Sequence, residues 1–149
     1  MSSETTKVYD FDQISLNFLG IPLDAMGGFD EEGIKVEWES EWFEDHVGAD
    51  GTVVRTKKYD KRAKTTIQVL PTAAMNAVLS AALISDDSAP NGASVGPFLI
   101  ADRQSNGTLF VDSASWLMGP PKEMTFKNGI TGIQWVFRHS QLTVFIGGN

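Results

Sequence analysis

The sequence contains no cysteine, which excludes disulfides and thiolate metal sites. Histidine is scarce as well. His46 and His139 are the only two, they lie far apart, and neither belongs to a metal-binding or triad spacing. Basic residues are the minority, with 12 Lys and Arg against 19 Asp and Glu, so the formal net charge is −7. Phosphate contacts require Lys and Arg, so this balance disfavours a protein that grips DNA or an anionic membrane. No apolar run approaches the roughly 20 residues of a spanning helix. The opening "MSSETTKVYD" lacks the apolar stretch of a secretory signal. There is no internal repeat and no low-complexity tract. These absences point to a soluble chain without targeting information, cytoplasmic when made.

The 149 residues, 42% of them hydrophobic, suit one domain with a real core. We expect a single domain over 1–149, with residues 1–7 as a flexible N-terminal arm. In "QISLNFLGIPL", Ile14, Leu16 and Phe18 alternate with Ser15 and Asn17, the pattern of a strand with one buried face. Pro22 suits a sheet edge or a strand start. "DAMGGFDEEG" reads as a loop rich in glycine and acid. In "IKVEWESEW" (34–42), Ile34, Val36, Trp38 and Trp42 share one face, while Lys35, Glu37, Glu39 and Glu41 share the other. As one strand it covers roughly 27 Å. A second long strand is expected in "TVVRTKKYDKRAKTTIQVL", joined to the first through a hairpin turn at Asp50-Gly51, with a loop or bulge where alternation weakens at 59–63. The hairpin is polarised. Asp30, Glu31, Glu32, Glu37, Glu39, Glu41, Glu44 and Asp45 crowd its outgoing side, and Arg55, Lys57, Lys58, Lys61, Arg62 and Lys64 its return.

"PTAAMNAVLSAALI" (71–84) predicts the one clear helix, with Thr72 as its cap after Pro71. Thr72, Asn76 and Ser80 form a polar stripe on an otherwise apolar helix, which must therefore be covered. "SDDSAPNGASVG" is expected to end it as a loop. Strands return in "PFLIAD", "TLFVDSASW", "TGIQWVFRH" and "QLTVFIGGN", with a further turn signal at Asn106-Gly107. The expected fold class is mainly β: an antiparallel sandwich or barrel with one flanking α-helix.

No catalytic or metal constellation emerges. On one strand, Glu37, Glu39 and Glu41 stand about 7 Å apart in a line, whereas a glycosidase pair converges in a cleft. Neither "GADG" nor "FDEEG" carries the calcium-loop pattern. "NGASVG" and "FIGGN" do not stand between a strand and a helix, as phosphate cradles do. The basic arm has only Tyr59 interleaved. A solvated or salt-bridged hairpin is its simpler reading, nucleic-acid binding the other. For the acidic face, an ordinary solvated sheet face stands level with a functional surface; like charges along a strand cost a few tenths of a kcal/mol per contact.

In order and spacing, "FLGIPL", "HVGADGTVVRTKKYDKRAKTTIQVL", "NAVLSAAL", "PFLIAD", "SWLMGPPKEMTF" and the ending "LTVFIGGN" closely resemble the tail tube proteins of contractile-tailed bacteriophages. The resemblance runs from about Val8 to Asn149, with the hairpin stretch and "FIGGN" its most specific parts. It implies a structural virion protein, no enzyme and no cofactor. Such subunits form sixfold rings that stack into a hollow tube, where long strands join into an inner barrel around a lumen that conducts genomic DNA. Their partners are further copies of the same chain and the tail sheath, tape measure, baseplate and tail terminator proteins. Double-stranded DNA passes without specific binding, and no membrane is engaged. On this resemblance Glu37, Glu39 and Glu41 face the lumen, where like charge keeps DNA from sticking. Lys57, Lys58, Lys61 and Arg62 would meet an acidic loop such as Asp30, Glu31 and Glu32 across subunits or rings. The alternatives are the inner tube of a phage-derived contractile injection machine that carries no DNA, and a monomeric β-barrel that binds a small ligand.

Overall fold

The computed structural model describes residues 9–103 and 107–147. The N-terminal arm 1–7, Asn106 of the second turn signal and the last two residues of "FIGGN" lie outside them. The described chain forms ten strands and one α-helix: β1 (Ile14–Phe18), β2 (Ile21–Pro22), β3 (Phe29–Trp38), β4 (Phe43–Val47), β5 (Val53–Lys57), β6 (Ala63–Val69), α1 (Met75–Ser88), β7 (Gly96–Asp102), β8 (Leu109–Leu117), β9 (Ile133–His139) and β10 (Thr143–Phe145). It is mainly antiparallel β with one helix, as the alternation indicates.

One sheet has the order β2-β1-β7-β8-β9-β6-β3. The missing donor of Pro22 falls on its edge strand, where it costs no ladder bond. β10 pairs with the first half of β8, and β9 pairs with 115–117 of the same strand. The sheet curls. β1 and β9 are three strand spacings apart, about 14 Å if flat, yet the rings of Phe18 and Phe137 are 4.8 Å apart. Their shared concave face buries Leu16, Phe18, Ile67, Val69, Phe98, Trp135 and Phe137, with Met75 and Leu79 of α1.

The hairpin is longer and more jointed than alternation suggests. β3 pairs with β6 up to Trp38↔Ala63, and β4 pairs with β5 from Phe43↔Lys57. Between them 39–42 and 58–62 form a joint, held by Glu39 N donating to Arg62 O and Lys58 N donating to Trp42 O. The expected strand 34–42 therefore stops at Trp38. In a continuous strand Trp38 and Trp42 would stand about 13 Å apart; instead their rings meet edge to face at 4.9 Å. The turn at Asp50-Gly51 forms, with Gly51 at φ +88° and Gly48 N donating to Thr52 O at 2.7 Å.

Three expectations are corrected. Asp30, Glu31 and Glu32 lie in β3, not in a loop. The strand accommodates them by a register shift between Phe29 and Ile34, with Gly33 at φ +60°, a conformation that favours glycine. Thr72 does not cap the helix, which starts at Met75 behind Ala74 with no side-chain cap bond; a turn precedes it, with Ala73 N donating to Leu70 O. The helix also continues through Asp86 and Asp87 to Ser88. There the Asp86 carboxylate accepts the amides of Ala93 and Ser94, tying the following loop back onto the last turns.

Candidate functional site

The convex face of β3, β6 and β9 is polar. Glu37 lies opposite Lys64, Lys64 opposite Arg138, and Gln68 opposite Gln134. A shallow groove there is lined by Glu32, Lys35, Glu37, Thr66, Gln68 and Gln134. The carboxylates are matched rather than aligned. Lys35 Nζ is 2.7 Å from Glu37, Lys64 Nζ is 3.8 Å from it, and an Arg138 guanidinium nitrogen is 2.6 Å from Glu39. The hydrogen bond from Lys35, then its charge, holds the Glu37 carboxyl below its ordinary value. Only Glu37 of the three acids is on the strand; Glu39 follows its end, and Glu41 stands on the joint and makes no ion pair among the described residues. They are not one unbroken line on one strand, because the chain turns at Trp38.

The joint carries an aromatic corner. Trp38 and Trp42 form it with Ser40 and Val144, and Glu39 and Glu41 line it as well. Lys61 Nζ lies 3.7 Å above the Trp42 ring, a cation–π contact. Beyond the joint, every residue of β4 and β5 is exposed, Phe43, Val47, Val53 and Val54 among them. The basic cluster expected to act together is dispersed. Lys57 approaches Tyr59, Lys58 pairs with Glu44 at 3.3 Å, Lys61 covers Trp42, and Arg62 forks onto Asp60. That fork pulls the Asp60 carboxyl down to about 2. Asp30, Glu31 and Glu32 are at the other end of β3, apart from this cluster.

A buried polar chain escaped sequence reasoning. The His139 ring bonds Thr65 Oγ1 through Nε2 at 2.6 Å and Ser115 Oγ through Nδ1 at 2.7 Å. Ser115 Oγ donates to Asp112 at 3.0 Å. Since that hydroxyl proton points to the carboxylate, Nδ1 carries the imidazole proton and Nε2 accepts from Thr65. The residue types are those of a serine hydrolase, but the order is wrong: serine lies between histidine and aspartate, and its proton goes to the carboxylate rather than to the imidazole. Thr65, Ser115 and His139 are fully buried and Asp112 nearly so. Burial lowers the His139 pKa to about 4, against the pull of Asp112. Parity held the missing signal, since His139 continues the buried series Trp135, Phe137 and Thr65 the series Ala63, Ile67. His46 is exposed on β4. Among the described residues no group of metal-ligating side chains converges.

The sequence matches the family model of the bacteriophage PhiTE tail tube protein over residues 16–147. The chain belongs to this tail tube family. It is a structural tail component of a phage, not an enzyme. No curated protein matches it. Solved structures that share the fold include two from contractile machines. One is the tube-terminating cap of the anti-feeding prophage, with a TM-score of 0.58 and 10% identity, covering 99% of this chain and 97% of that one. The other is the sheath/tube terminator of an extracellular contractile injection system (PVC, extended state), with a TM-score of 0.57 and 10% identity over 96% and 99%. At that identity the likeness is one of fold. The tail tube family member described here thus shares an architecture with end pieces of contractile injection machines.

Proposed function

We propose that this chain associates with copies of itself into stacked rings, six to a ring, forming the inner tube of a contractile phage tail. The observation that carries the proposal is the hairpin of β4 and β5. A two-stranded hairpin is marginal alone in water, and this one stands clear of the body with apolar side chains uncovered. A subunit built to be covered by its neighbours explains it. The polar face of β3, β6 and β9, with Glu37 on it, lines the bore, and Glu39 and Glu41 stand on the joint beyond its end. Its Lys35, Lys64 and Arg138 are engaged by carboxylates, so no row of free cations awaits phosphates, and passing double-stranded DNA gains little by counterion release. Sheath, tape measure, baseplate and terminator proteins complete the tail, which assembles in the host cytoplasm. Lys57, Lys58, Lys61 and Arg62, with Asp30, Glu31 and Glu32, lie at contacts between subunits or rings.

A second reading follows from the two similar structures, both of which terminate a tube. A terminator would form a ring that does not propagate. Negative-stain microscopy of the purified chain at high concentration separates the cases. Hollow filaments support the tube, isolated rings support a terminator, and monomers at every concentration contradict both.

A further inference from the structure

The aromatic corner and the projecting hairpin have matching chemistry. The corner offers an open apolar hollow of about 580 Å³ between Trp38, Trp42 and Val144. Of the two carboxylates that line it, Glu39 is held by Arg138 and Glu41 has no ion pair among the described residues. On the hairpin, Val47 lies opposite Val53 near the turn, and Arg55 opposite Asp45. Directly opposite residues in an antiparallel pair share a face, and alternation puts these two pairs on one face. Arg55 likewise makes no salt bridge among the described residues and rests 4.5 Å over the Phe43 ring. An anion without an ion pair among the described residues therefore lines the hollow, and on the hairpin face Arg55, opposite Asp45, stands beside an exposed valine pair.

The two surfaces cannot meet within one molecule. The joint's backbone bonds hold the ribbon extended, so Val47 is five residues from Trp42, about 17 Å along the strand. We propose that the corner receives the hairpin of a second copy of this chain, with the second copy's valine pair on Trp38, Trp42 and Val144 and its Arg55 against Glu41. The contact joins two different patches, so each copy still offers a free hairpin and a free corner. Repetition then closes a ring or extends a filament. The inference rests on the tube reading and adds the residues that make one of its contacts.

The absence of cysteine makes the test clean. E41C and R55C variants, each carrying a single thiol, are mixed under mild oxidation. The inference expects a disulfide-linked pair joining one variant to the other, and a ladder of crosslinked species from the E41C/R55C double variant. In parallel, E41R and R55E are each expected to raise the concentration needed for assembly at least about tenfold, because like charges then face each other, and the double reversal to restore it. Both side chains are exposed, and circular dichroism checks that each variant folds. Wild-type filaments with E41R assembling equally well, or no mixed disulfide, would overturn this contact and leave the tube reading standing. A wild-type chain that never associates would overturn both.

Discussion

Acid should destabilise this subunit through one residue, and the buried chain around His139 sets the size of the effect. The ring is closed in by Thr65, Ser115 and Asp112, by the Phe98 ring at a centroid distance of 4.4 Å, and by Arg138 next to it in sequence. Burial holds its pKa at about 4 in the folded chain, from an ordinary 6.5. The unfolded chain thus binds more protons between those values. Stability is complete above pH 6.5 and falls as the pH drops toward 4. Between pH 7 and about pH 5 the loss comes to about 2 kcal/mol. Asp60, with its carboxyl at about 2, stays charged throughout and contributes nothing in that window. Urea unfolding followed by tryptophan fluorescence should show the midpoint falling by about 1 M. His139→Gln should be less stable at neutral pH and should lose this pH dependence. A wild-type midpoint that is the same at both pH values, or an equal fall in H139Q, would refute the reasoning.

Two further outcomes follow from the core. Phe137→Ala empties the space between the rings of Phe18 and Phe98 and should cost about 3–5 kcal/mol in urea unfolding. Asn76→Ala strands the Trp135 Nε1 proton and the Leu70 carbonyl, which Asn76 bonds at 2.9 and 3.0 Å. The cost should be about 1–3 kcal/mol, with the tryptophan emission altered. A loss below about 0.5 kcal/mol would mean that water replaces the amide.

Much of the fold was legible because period-two alternation survives wherever one sheet face is buried. Ile14, Leu16 and Phe18, or Ile133, Trp135 and Phe137, announce both strand and face. The breaks were less visible. Alternation continues from Ile34 through Trp42, yet the strand stops at Trp38, where the two tryptophan rings meet edge to face and Lys61 covers Trp42. Gly33 hides a bulge that keeps Asp30 in the sheet. Asp86 and Asp87 look like a helix end, but Asp86 serves as a clasp for the next loop. For the candidate site, sequence exposed the crowding of acids and bases but not their matching. Which carboxylate meets which cation depends on cross-strand register, and Glu39 meets Arg138 from a strand about one hundred positions later in the chain.

The central claim concerns which surface of this chain becomes the wall of a channel, and a cryo-electron microscopy reconstruction of assembled material tests it most directly. The account predicts a hollow tube in which the convex face of β3, β6 and β9 borders the bore and the β4–β5 hairpin is covered by an adjacent copy. A reconstruction with that polar face on the outside, or with the hairpin left in solvent, would contradict it.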